Sequence, residues 1–126
     1  MEWEIIVAEG FEKRYERFAK KRPHESKAMW NNLGMYVDLL EEGSHPLQIK
    51  EGFIHHKVGL GIKEIDQKGC DIPKPMQSRL YVYPDADTKT LHLMTVGNKT
   101  DQASDVQLAR RYVTNLRKSK EEKHHD

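Results

Sequence analysis

Two runs with a two-residue period, Arg79-Leu80-Tyr81-Val82-Tyr83 and Leu91-His92-Leu93-Met94-Thr95-Val96, flank the polar segment Asp85 to Thr90. No other part of the chain restricts its fold as tightly. On a strand, successive side chains point to opposite faces, so Arg79, Tyr81 and Tyr83 share one face while Leu80 and Val82 share the other. The same rule sets Leu91, Leu93 and Thr95 on one side of the second run and His92, Met94 and Val96 on the other. The turn-forming residues between them make the pair a hairpin. Gly97-Asn98-Lys99 then opens a last helix, capped from Asp101 or Ser104, whose apolar stripe is Val106, Ala109, Val113 and Leu116.

A hairpin with one apolar face needs a second layer, and the N-terminal half supplies it. Trp3 to Ala8 suits a strand, and Gly10 separates it from a helix striped by Phe11, Tyr15 and Phe18. Pro23 interrupts that helix. A second begins at Glu25 or Ser26, carries Met29, Leu33, Tyr36 and Leu40, and stops at Gly43. Two amphipathic helices in succession form a helical hairpin whose stripe requires a sheet or similar partner. Ser44 to Phe53 reads as a connection, Phe53 to Lys57 and Leu60 to Asp66 as strands with Gly61 a bulge candidate, and Gln67 to Met76 as a loop, since Pro73 and Pro75 cannot sit in a central strand. The expected fold is α+β: an N-terminal strand and a helical hairpin packed on an antiparallel sheet of about four strands, with a C-terminal helix. A length of 126 residues fits one domain, 1–126, with the charged tail 118–126 expected to fray.

Composition narrows the function classes. With 21 basic and 20 acidic residues, the chain does not coat nucleic acid through bulk charge. The basic residues Lys99, Arg110, Arg111, Arg117, Lys118 and Lys120 nevertheless face only Asp101 and Asp105 within their segment, which reads as a phosphate-binding surface or as a solvated helix face. Nothing approaches the roughly 18 apolar residues of a membrane span, and the acidic start MEWEIIVAEG lacks a signal-peptide layout, so a cytoplasmic protein is expected. Cys70 stands alone and reads as a free thiol. His55-His56 and His124-His125 are adjacent pairs that point apart on a strand, so neither has metal-ligand spacing; no metal and no cofactor are expected.

The segments GIKEID, SRLYVYPD and LHLMTVGNKTDQ, the last followed by a helix, together resemble the central pattern of the RelE/ParE superfamily of toxins from type II toxin–antitoxin modules. An acidic strand residue precedes an arginine-led strand, and a hydrophobic strand ends at a lysine; Glu64, Arg79, Lys99 and Gln102 occupy those places. The resemblance spans the last half of the chain by motif and the whole of it by element order. It implies an mRNA interferase that drives the ribose 2′-hydroxyl onto the adjacent phosphate without a metal, with messenger RNA on the ribosome as substrate and a cognate antitoxin as partner. The alternatives within the same family are a ParE-like inhibitor of DNA gyrase and a non-catalytic binding module. Lysine and arginine at these positions favour the nuclease, and the balanced charge favours the other two.

Such a reaction asks for a base, fixed positive charge at the phosphate and an acid for the leaving 5′-oxygen. Arg79 is the candidate phosphate clamp, or else the partner of Glu64 across adjacent strands. Lys99 adds charge at a strand end or is simply solvated. Lys57 and Lys63 are candidate bases, subject to a strand register that a one-residue slip would invert. Tyr81 and Tyr83 can stack on bases, although tyrosine is also a common strand former; Arg110 and Arg111 complete the substrate-binding set. For the acid, His92, Tyr112, His124 and His125 are the residues of suitable type.

Overall fold

The computed structural model describes residues 2–69 and 77–124. Cys70, Pro73, Pro75 and His125 lie outside the described residues. The order is β1 (Glu4–Val7), α1 (Phe11–Lys21), α2 (Pro23–Glu41), β2 (Ile54–His55), β3 (Lys63–Ile65), β4 (Arg79–Asp85), β5 (Thr90–Gly97), a 3-10 turn (Lys99–Asp101) and α3 (Gln102–His124). The class is α+β, as the alternation of patterns implied. The sheet differs in detail from the expected four antiparallel strands: among the described residues it has five, in the order β1-β5-β4-β3-β2, and β1 runs parallel to β5. Pairing between β1 and β5 joins the two ends of the chain, so no local pattern records its direction. Glu4 N–H donates to the Lys89 carbonyl and Ala8 N–H to that of Leu93, both at 2.9 Å.

Gly10, with φ 83, turns β1 into α1, a left-handed conformation that glycine adopts at little cost. α2 starts at Pro23, earlier than Glu25 or Ser26, because proline lacks only an N–H that the first helical turn would leave unbonded anyway. Ser26 instead ties the two helices together by donating to Tyr15 Oη at 2.6 Å. The stripes land as their spacing demands: Phe11, Phe18, Met29, Leu33, Tyr36 and Leu40 pack on Leu80, Val82, Leu91, Leu93 and Val96. Each such side chain contributes about 1.5–3 kcal/mol on full burial.

α3 lies on the opposite face of the sheet, where Ala109 and Val113 join Tyr81, Met94, Val58 and Ile62 in a second core. The molecule therefore has three layers, and the Tyr81 face is largely interior. A bulge also corrects the alternation of the hairpin. Tyr81 opposes Thr95 and Val82 opposes Leu93, leaving Met94 as the extra residue on β5. One additional residue exchanges the faces beyond it: Val96 joins the core beneath the helical hairpin, while Thr95 turns toward α3 and donates to Asp105 Oδ1 at 3.3 Å. β2 and β3 are shorter than the runs that contain them, and Gly61, with φ 79, belongs to the turn before β3 rather than to a bulge. α3 continues to His124, through the described part of the segment expected to fray; Lys120, reaching back to Asp85, ties the helix to the sheet.

Candidate functional site

The register places His55, Glu64, Tyr81 and Thr95 in one row across β2, β3, β4 and β5. Arg79, two residues before Tyr81, shares its face. Tyr81 is fully buried beneath α3 and its hydroxyl has no hydrogen-bond partner among the described residues; burial, reinforced by Glu64, raises its pKa. Glu64 in this row and the neighbouring Arg79 retain partial access to solvent, with Arg79 Nε 3.6 Å from Glu64 Oε2. His55 Nε2 meets Asp66 Oδ2 at 2.6 Å, and Asp66 is fixed in turn by the N–H of Lys68 at 2.8 Å. Burial raises the Glu64 carboxyl above its ordinary pKa, against the opposing charges of Arg79, His55 and Lys57. A carboxyl whose pKa burial raises, set beside a guanidinium, is chemically an acid–base group next to an anion clamp.

Arg79 and Lys57 thus come together around Glu64, as a cross-strand ion pair and a neighbouring charge. Lys99 is exposed on the 3-10 turn, two residues beyond Gly97, which pairs with Arg79. Lys63 does not join them. It opposes Val82 and shares the face of Ile65, so its side chain enters the layer beneath the helical hairpin, where Nζ meets His56 Nδ1 at 2.8 Å. The sequence held the signal for this: Ile65 is a core residue, and period two puts Lys63 with it.

The proposed substrate-binding set is dispersed. Tyr83 packs against His92, with ring centroids 6.0 Å apart, and His92 Nδ1 bonds to Tyr112 Oη at 2.8 Å; burial holds the His92 pKa down. Arg110 donates to the Val58 carbonyl at 2.5 Å and Arg117 to that of Leu60 at 2.9 Å, so two cations of the basic helix fasten a loop. Arg111 remains exposed. Gln102 closes the start of α3 by donating to the Gln77 carbonyl at 3.1 Å. The His55–Asp66 pair had no signal in the sequence, since eleven positions separate residues joined only by the β2–β3 pairing.

A second basic feature adjoins the end of β5. Arg14, Arg17, Lys21, Arg22, Gly97 and Asn98 line a cleft of about 310 Å³. Its wall is fixed by Arg14, which donates to the Val96 carbonyl at 2.8 Å and to Asp105 at 2.7 Å. Among the described residues no group of three or more His, Cys, Asp or Glu converges on a metal position, and no helix is long and apolar enough to cross a membrane. Neither a protein-family model, nor a curated protein, nor a solved structure matches the chain.

Proposed function

We propose that this chain is a RelE-like toxin, a metal-independent endoribonuclease acting on messenger RNA presented by the ribosome and restrained by a cognate antitoxin. The observation that carries this reading is the half-buried Glu64 carboxyl set 3.6 Å from Arg79, with His55 beside it on the same row. Glu64 accepts the ribose 2′-hydroxyl proton, and the freed oxygen attacks the adjacent phosphorus. Arg79 leaves its contact with Glu64 to grip the non-bridging oxygens, a fork geometry suited to phosphate. His55, oriented by Asp66 through Nε2, donates from Nδ1 to the departing 5′-oxygen. Lys57, Lys99 and the basic cleft at the end of β5 add charge along the path of the backbone. Glu64 takes the place of Lys63 as base because Lys63 faces the other layer.

A binding module, or a gyrase inhibitor of the ParE kind, is the second reading. It is favoured by the ion pair that already occupies Arg79 and by the balance of 21 basic against 20 acidic residues. The test uses programmed ribosomes and free RNA. Cleavage leaves a 2′,3′-cyclic phosphate and a 5′-hydroxyl, survives chelator and fails when the cut-site ribose lacks its 2′-hydroxyl. Glu64→Gln lowers the rate by about 10²–10⁴-fold. Cutting of the 2′-deoxy substrate would overturn the mechanism, and inactivity on both substrates would favour the second reading, inhibited supercoiling then marking the gyrase inhibitor and unchanged supercoiling the binding module.

A further inference from the structure

Lys63 is only 5% exposed, yet among the described residues it forms no salt bridge. Its amine meets a ring nitrogen, His56 Nδ1, at 2.8 Å. Burying an ammonium without a carboxylate is costly, and a lysine so placed sheds its charge more readily than one in water. Burial lowers the Lys63 pKa, and burial followed by the charges of Lys63, His55 and Lys50 lowers that of His56. Burial favours the neutral form of both groups relative to water. An apolar side chain opposite Val82 would serve the core better, so the lysine is not explained by stability.

The amine also has room beside it. Lys63 and His56 line a cavity of about 620 Å³ with Leu47, Lys50, Glu51 and Ile54, within the range of small-molecule sites. Exposed Lys50 supplies a cation at its wall. The cavity lies on the face of the sheet opposite Arg79 and owes nothing to the nuclease reading.

We propose that this cavity binds a small 2-oxo acid, with Lys50 meeting the carboxylate, Lys63 Nζ forming an imine with the ketone or aldehyde carbon, and His56 moving the proton. The Nζ lone pair attacks the carbonyl carbon and the carbonyl π pair moves to oxygen. His56 Nδ1 takes a proton from the new ammonium and delivers it to the alkoxide, giving the carbinolamine, and a second proton passes from nitrogen to the hydroxyl by the same route. As C=N forms, that hydroxyl leaves as water. Electrons balance without an oxidant or reductant, and the step is reversible.

The experiment incubates the full chain with glyoxylate and sodium cyanoborohydride at neutral pH and maps adducts by peptide mass. Lys63 acquires the carboxymethyl group ahead of exposed Lys57, Lys68 and Lys99. His56→Ala, a change at an exposed residue, slows that labelling, and Lys50→Ala removes the preference for glyoxylate over neutral acetaldehyde. Lys63→Met loses the adduct; because this variant alters a buried position, the His56 and Lys50 variants provide the independent arms. Adducts spread over the exposed lysines of the folded parent with Lys63 unmodified would overturn the proposal, as would His56→Ala labelling at the parental rate.

Discussion

Glu64 and Asp105 show how burial and charge compete at single residues. In Glu64, burial outweighs Arg79, so removing the guanidinium leaves desolvation less opposed. Arg79→Ala therefore moves the Glu64 carboxyl titration further upward, readable by NMR; an unmoved titration would show that the 3.6 Å pair is not a persistent contact. As a base, Glu64 must be ionised, so activity falls as pH drops through its raised pKa, and in Arg79→Ala any residual activity falls at higher pH. Asp105 is 1% exposed, and burial raises its pKa from 3.8 to about 6 despite Arg14. The folded state then holds this proton more tightly than the unfolded chain. The stabilisation is fully present below the unfolded value of 3.8 and is lost as pH rises through about 6. Relative to Asp105→Asn, urea unfolding of the parent gains on the order of 3 kcal/mol between pH 7 and pH 4. Parallel pH dependence in the two proteins would assign the effect elsewhere.

At the scale of elements, the end of β5 governs how the sheet hands over to α3. Gly97 leaves no room for a side chain: a Cβ there would stand 2.8 Å from that of Asp101 and collide with Asp105 Oδ2. Asn98 caps the 3-10 turn, its side chain accepting from Thr100 N–H at 3.0 Å while Asp101 accepts from Asn98 N–H at 3.1 Å. Gly97→Ala overfills this corner and destabilises by about 1–3 kcal/mol; an unchanged urea midpoint would mean that the corner relaxes freely. The loop before β3 depends on α3 in a similar way. Arg110→Ala leaves the Val58 carbonyl without its guanidinium donor, and amide hydrogen exchange over residues 57–61 quickens while α1 and α2 keep their protection.

Across the whole molecule, helices pack on both faces of the central strands and the C-terminal helix is part of the core. Removing residues 99–126 uncovers Tyr81 and Met94, which are 0% and 2% exposed with α3 in place. The shortened chain binds a hydrophobic dye and loses its sharp unfolding transition, since one face of the sheet has no partner. Retained cooperative unfolding would show that the helical hairpin and one sheet face suffice as a core. The same layering confines the candidate site to the margin of the sheet, where Glu64 and Arg79 lie beyond the cover of α3.

Local period and punctuation determined the helices, the central hairpin and the class of fold, because each depends on residues within a few positions of one another. Phe11, Phe18, Met29 and Leu33 reach the core their spacing assigns them, and Arg79 and Glu64 meet as adjacent strands allow. The direction of β1, the bulge at Met94 and the burial of Tyr81 were decided by pairings between distant segments. The bulge is the clearest case. Nothing in LHLMTVG marks Met94 as the extra residue, yet it sends Val96 under the helical hairpin and Thr95 toward Asp105. Alternation counts residues along one strand, whereas the face a side chain occupies depends on how many residues its partner strand sets against them.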